Sequence, residues 1–114
     1  LGQGRLVGLP AARYARKRGA RVRVYEKHTL DPRSLKTADI IISGIGQPHY
    51  ITADLVQSGV VVFDAGTSED GGVLVGDVHP NVATVAAVYT PVPGGIGPIT
   101  IALLLRNLYD LVRQ

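Results

Sequence analysis

The chain has 114 residues, enough for one domain around a single core. Its composition, 46% hydrophobic and 18% charged with no cysteine, excludes a disordered chain, a disulfide scaffold, thiolate metal sites and cysteine catalysis. The net charge of +3 is concentrated rather than spread, because six of the twelve Lys and Arg fall between Arg13 and Arg23.

That basic run favours a solvated helix face over a rim for an anionic ligand, and no nucleic-acid partner is expected. No apolar stretch reaches the length of a membrane span, so no membrane partner and a cytoplasmic setting are expected.

The elements alternate between two periods. "VGLPAARYARKRG" predicts a helix, with Pro10 in its first turn and Gly19 as its stop. "ARVRVY" predicts a strand with Val22 and Val24 on one face. "DPRSLKTA" predicts a short helical turn capped by Asp31. "DIIISGI" and "VVVFDAG" are continuous aliphatic runs and predict strands buried on both faces. Between them, "HYITADLVQSG" predicts a short helix with Thr52 as N-cap and Gly59 as stop. "VLVGDV" predicts another strand, "HPNVATVA" a turn of helix and "AVYT" a last strand. The final helix is predicted from about Pro98, with Ile101, Leu104, Leu105, Leu108 and Leu111 as a core-facing stripe.

This order predicts an α/β fold: a Rossmann-like, three-layer, doubly wound and mostly parallel sheet, in one domain over residues 1–114. Its opening, "LGQGRLVG", has the glycines that should follow a strand, with only Leu1 before them. The first strand is therefore expected to be missing, as in a clipped piece of a longer protein, in preference to a first strand supplied from elsewhere.

Gly2, Gly4 and Gly8 stand directly before the first helix. In a dinucleotide turn such glycines allow the bend and the close approach of pyrophosphate, while the helix N-terminus faces the anion. Glu26 ends the next strand 24 residues after Gly2, where an acid can grip ribose hydroxyls. The alternative for Glu26 is a surface acid beside Lys27. The loops "SGIGQP" and "DAGT" follow later strands at the end where open parallel sheets bind ligands. His28, His49 and His79 lack metal-ligand spacing and are expected on the surface, with no metal site. Asp64 is the best single ionisable candidate, as a hydrogen-bonding strand-end residue in preference to a general base.

"TPVPGGIGPIT" packs Pro91, Pro93, Gly94, Gly95, Gly97 and Pro98 into eight positions ahead of a helix. One punctuator would suffice for a connector. Together with "ADIIISGIGQPHYITADLVQSG" and "VVVFDAGTSEDGGVLVGDV", it resembles the C-terminal half of bifunctional methylenetetrahydrofolate dehydrogenase/cyclohydrolases, whose signature loop reads P-V-P-G-G-V-G-P-M-T. The resemblance covers essentially the whole chain.

The resemblance implies the cofactor domain of an enzyme that oxidises 5,10-methylenetetrahydrofolate with NAD(P)+ and hydrolyses the methenyl product to 10-formyltetrahydrofolate. It implies that Pro91, Pro93, Gly94, Gly95 and Gly97 face the folate substrate at an interdomain cleft. Gly2, Gln3, Gly4, Arg5, Gly8, Glu26, Lys27, Gly44, Ile45, Gly46 and Thr100 are then the cofactor-side residues. It also implies a homodimer and an absent N-terminal domain that carries the catalytic lysine and tyrosine. No residue here inherits a catalytic role, and the isolated chain is expected to be inactive.

Two departures bear on the cofactor. The family's glycine–arginine–serine is Gly2-Gln3-Gly4 here, and its histidine–serine is Glu26-Lys27. Losing the arginine and serine that serve the 2′-phosphate, and gaining a carboxylate, favours NAD over NADP. Two rival readings remain open: a non-catalytic nucleotide-binding or regulatory module, and the cofactor domain of another NAD-dependent dehydrogenase.

Overall fold

The computed structural model describes all 114 residues. Three parallel strands form the central sheet in the order β1 (Ile40–Ser43), β2 (Val61–Asp64) and β5 (Val88–Thr90). Ile40 pairs with Val61 and Ser43 with Asp64, while Val61 pairs with Val88, so the C-terminal ends of β1 and β2 lie level. Helix α1 (Gly8–Lys17) precedes the sheet and helix α2 (Ile96–Val112) follows it. No helix is long and apolar enough to cross a membrane.

The three connecting helices are short 3₁₀ segments of three to six residues. Pro32–Thr37 begins on Asp31, whose carboxylate accepts the Arg33 amide at 3.0 Å, as the sequence predicts. The predicted helix after Tyr50 shrinks to Ala53–Leu55, and Gly59 stops the segment with φ of +81°. His79 opens the third turn, Pro80–Thr84, by accepting the Asn81 amide on Nδ1. These turns cover one face of the sheet and close a core of Leu35, Ile41, Ile51, Val56, Val60, Val62, Val78 and Val82. Full burial of such side chains contributes roughly 1.5–3 kcal/mol each.

Several expectations change. The two aliphatic strands alternate in burial instead of being buried throughout: in β2, Val62 and Asp64 are buried while Val61 and Phe63 are half-exposed. Residues 21–25 form no strand. Val22 and Val24 are half-buried and Arg21 and Arg23 exposed, as period-2 alternation predicts, but a strand also needs a partner. Only the Tyr25 carbonyl finds one, accepting the Gly2 amide at 2.8 Å. On the other side of Leu1, its amine donates to the Ile42 carbonyl and its own carbonyl accepts the Gly44 amide at 3.1 Å. Leu1 and Gly2 thus lie as a strand end between Tyr25 and β1. Beyond them a cavity of about 840 Å³ separates residues 20–25 from β1.

"VLVGDV" supplies β4 (Val73–Val75), whose unexpected partner is the antiparallel β3 (Ser68–Asp70). Gly71 and Gly72, both at positive φ, make the two-residue turn that such hairpins require. The last helix starts two residues early, at Ile96. Its apolar stripe is not core: Ile101, Leu104, Leu105, Leu108 and Leu111 are each 58–66% exposed. Periodicity made the helix amphipathic, but no other element of the chain covers that face.

Candidate functional site

The glycine turn is built by mutual exclusion of side chains. Gly2 has φ of +89°, and a Cβ there would lie 2.8 Å from the Gly44 carbonyl oxygen. Gly8 backs onto Gly2, so that a Cβ would sit 2.6 Å from its carbonyl carbon and 3.2 Å from the Gln3 nitrogen. No alanine fits at either place. Gly4 borders open space, with nothing within 4 Å of its missing side chain. Helix α1 begins at Gly8 with no side-chain cap and no acid in its first turn. The Leu9 amide bonds back to Gly4 at 3.1 Å and the Ala11 amide to Val7 at 3.0 Å, and Pro10 has no amide hydrogen, so in the first turn only the Gly8 amide has no carbonyl partner within the chain.

The bond from Gly2 to Tyr25 sets Glu26 at the rim of this turn. Its backbone is fixed by a turn in which Glu26 N donates to Thr29 Oγ1 at 2.9 Å and the Thr29 amide returns to the Glu26 carbonyl at 3.0 Å. Its carboxylate takes no ion pair within the chain. Gln3, Arg5, Lys27 and His28 are likewise exposed around the turn. The basic residues from Arg13 to Arg23 are exposed as well, with Arg18 stacked 5.6 Å over the Tyr14 ring.

A second cleft, of about 490 Å³, opens at the ends of β2 and β5. Val7 borders it on one side, residues 64–67 form its floor, and the loop from Pro91 to Pro98 with Thr100 forms its far wall. All five residues expected to face substrate are therefore in one place. The Val92–Pro93 bond is cis and Gly94 has φ of +92°. Gly95 is required by the loop itself, since a Cβ would lie 3.0 Å from Thr90 Cβ and 3.1 Å from the Pro91 nitrogen. Gly97 is different: nothing of the chain lies within 4 Å of its missing side chain. The Thr100 hydroxyl donates to the Ile96 carbonyl at 2.8 Å, leaving its oxygen free to accept.

At the end of β2 lie two fully buried carboxylates, Asp64 and Asp77, only one of which stands out in the sequence. Asp64 accepts the amides of Gly66 at 2.9 Å, Asp77 at 3.1 Å and Val78 at 2.9 Å. It is the strand-end hydrogen-bonding residue the sequence predicts. Burial raises its pKa above the ordinary carboxylate range, against the opposing pull of those three amides. The neighbouring Tyr89 is raised too, by burial and then by the Asp64 charge. Asp77 accepts the Ser43 hydroxyl at 2.7 Å and the Ile45 amide at 2.8 Å on Oδ2, and the Gln47 amide at 2.9 Å on Oδ1. The available signal was an acid inside the valine-rich "VLVGDV", where a charge is buried only if it is fully bonded.

The histidines are less scattered than expected. His28 is exposed, but His49 and His79 are half-buried with ring centroids 5.3 Å apart, edge to face. His49 sits at φ of +54°, a left-handed position usually left to glycine or asparagine.

Comparison with known proteins gives this geometry its family. The model for "Tetrahydrofolate dehydrogenase/cyclohydrolase, NAD(P)-binding domain" matches residues 1–114. The Bifunctional protein FolD of Mycoplasmopsis synoviae is 40% identical over 117 residues, covering 99% of this chain and 42% of its own. That of Desulforamulus reducens is 44% identical over 110 residues, covering 95% and 39%. Among solved structures, the FolD enzyme of Campylobacter jejuni superposes with a TM-score of 0.87 at 39% identity, over 93% of this chain and 39% of that one. The Trypanosoma brucei enzyme, complexed with NADP cofactor and inhibitor, gives 0.86 at 37% identity over the same shares. The chain spans about two fifths of the length of these relatives. It belongs to the tetrahydrofolate dehydrogenase/cyclohydrolase family, as the NAD(P)-binding domain.

Proposed function

We propose that this domain holds NAD(P) for a folate-dependent dehydrogenase/cyclohydrolase that oxidises 5,10-methylenetetrahydrofolate and then hydrolyses the methenyl product. The observation that carries the reading is the cleft in which the proline–glycine loop, the end of β2 and Val7 of the glycine turn converge. A fixed loop with an open glycine edge admits a flat ring close to backbone, and the adjoining turn offers amides to a pyrophosphate. The nicotinamide, when bound, supplies the hydride acceptor. The chain's own residues supply binding and orientation, so its share of catalysis is positioning.

The acid–base residues belong to a folate-binding half, and the exposed apolar face of α2 is the surface that packs against it. Gln3, Gly4, Arg5, Lys27 and the open Gly46 surround the adenosine end, with Glu26 on the ribose. This arrangement favours NAD over NADP, since a carboxylate repels a 2′-phosphate. The enzyme is proposed to act as a homodimer in the cytoplasm. A chain carrying both halves should reduce NAD+ when 5,10-methylenetetrahydrofolate is added. A folded two-domain protein that forms no reduced nicotinamide would contradict the proposal.

A further inference from the structure

We infer that Asp77 is a positioning residue whose carboxylate clamps the loop from Ser43 to Gln47 in its cofactor-receiving shape, an inference that rests on the function proposed above. Three donors on alternate residues converge on one side chain: the Ser43 hydroxyl, the Ile45 amide and the Gln47 amide, all within 2.9 Å. Because alternate residues face the clamp, Gly44 and Gly46 are turned the other way. A Cβ on Gly44 would touch Val7 at 3.5 Å, and nothing of the chain lies within 4 Å of Gly46, which has φ of +69°. One side of the loop is pinned and the other is left for the glycine turn and a ligand.

The clamp is itself held and given room. The Asp77 amide donates to Asp64, and its carbonyl accepts the Ile51 amide at 3.0 Å. Gly66 leaves space for the carboxylate, since a Cβ there would lie 2.5 Å from Asp77 Cγ. No Lys or Arg pairs with Asp77, and its direct partners are hydrogen-bond donors. A carboxylate suits the task because it only accepts, and all three partners only need to donate. Asparagine would turn an amino group toward either Ile45 or Gln47 and leave that amide without an acceptor.

Two readouts on a protein carrying both halves test this: NAD+ affinity by calorimetry, and amide hydrogen exchange at Ile45 and Gln47 with Val62 as the core reference. Asp77→Asn should weaken NAD+ binding about tenfold and speed exchange at one of the two loop amides by a similar factor, with Val62 still protected. If Asp77→Asn loses Val62 protection, Ser43→Ala takes its place. It deletes one buried oxygen and should speed Ile45 exchange, which shares Oδ2 with Ser43, while weakening NAD+ binding about threefold. Unchanged affinity and unchanged loop exchange in a folded variant would overturn the clamp. A wild-type chain that binds neither NAD+ nor NADP+ would instead overturn the function proposed above, and loop exchange alone would then judge the clamp.

Discussion

The amide of Gly2 donates to the carbonyl of Tyr25 at 2.8 Å, and the next residue is Glu26. One hydrogen bond thus ties the glycine turn to the only acid at its rim. If Glu26 accepts from both ribose hydroxyls, its removal weakens NAD and lifts the repulsion of a 2′-phosphate. Glu26→Ser should shift the ratio of NAD+ to NADP+ affinity by about tenfold toward NADP+. Titrating both cofactors into parent and variant measures this. A parent that prefers NADP+, with the ratio unmoved in the variant, would make Glu26 a solvated surface acid.

Gly95 and Gly97 stand two residues apart and have different reasons to be glycine. The loop's own backbone and Thr90 crowd Gly95, so Gly95→Ala should destabilise the fold by about 2 kcal/mol with or without ligand. Nothing in the chain crowds Gly97. Gly97→Val should therefore leave the unfolding temperature nearly unchanged, yet lower folate-dependent reduction of NAD+ by more than about tenfold in a protein carrying both halves. Thermal melts and steady-state kinetics on the two variants separate the cases. Normal turnover by folded Gly97→Val would leave the loop as structural punctuation.

These contrasts show what the sequence could and could not convey. The glycine turn and the proline–glycine loop were legible because a positive φ or a close backbone approach admits almost no other residue. Gly2, Gly8 and Gly95 carry that signal one position at a time. The Asp64–Asp77 arrangement was half legible, since it depends on two segments 13 residues apart meeting at one sheet end. The apolar stripe of α2 is legible as a stripe but its cover is not, because periodicity states which face seeks cover and not whether the chain provides it. Residues 21–25 alternate like a strand but lack the neighbour that would make them one. Gly71-Gly72 announces the turn of the β3–β4 hairpin, but the polar Ser68–Asp70 carries no apolar alternation that would mark it as a strand.

Burial raises the Asp64 pKa, and this fixes the sign of a pH effect. Between the unfolded value of about 3.9 and the raised folded value, the native chain keeps a proton that the unfolded chain has released. Stability contributed by this group therefore falls as pH rises through that window. Compared with the non-titrating Asp64→Asn, the wild type should lose relative stability as pH climbs from about 4. Urea unfolding of both proteins across a pH series reads the gap. A gap that moves in favour of the wild type with rising pH would mean that the three amides outweigh burial.

The isolated chain has strand-end hydrogen bonding but no acid–base pair aimed into its cleft. Given saturating NAD+ or NADP+ and 5,10-methylenetetrahydrofolate, it should form no reduced nicotinamide above the buffer background. Turnover clearly above that background would place catalytic groups in this domain and overturn the division of labour proposed for the two halves.

The central claim is that the glycine turn and strand-end cleft hold a nicotinamide dinucleotide. Calorimetric titration of NAD+ into the 114-residue chain, with Gly8→Val as the control that fills the turn, tests it most directly. The account predicts saturable binding at one site per chain, lost in Gly8→Val because a side chain there meets the Gly2 carbonyl. A folded wild-type chain that binds neither NAD+ nor NADP+, or a folded Gly8→Val that binds as well as the parent, would contradict it.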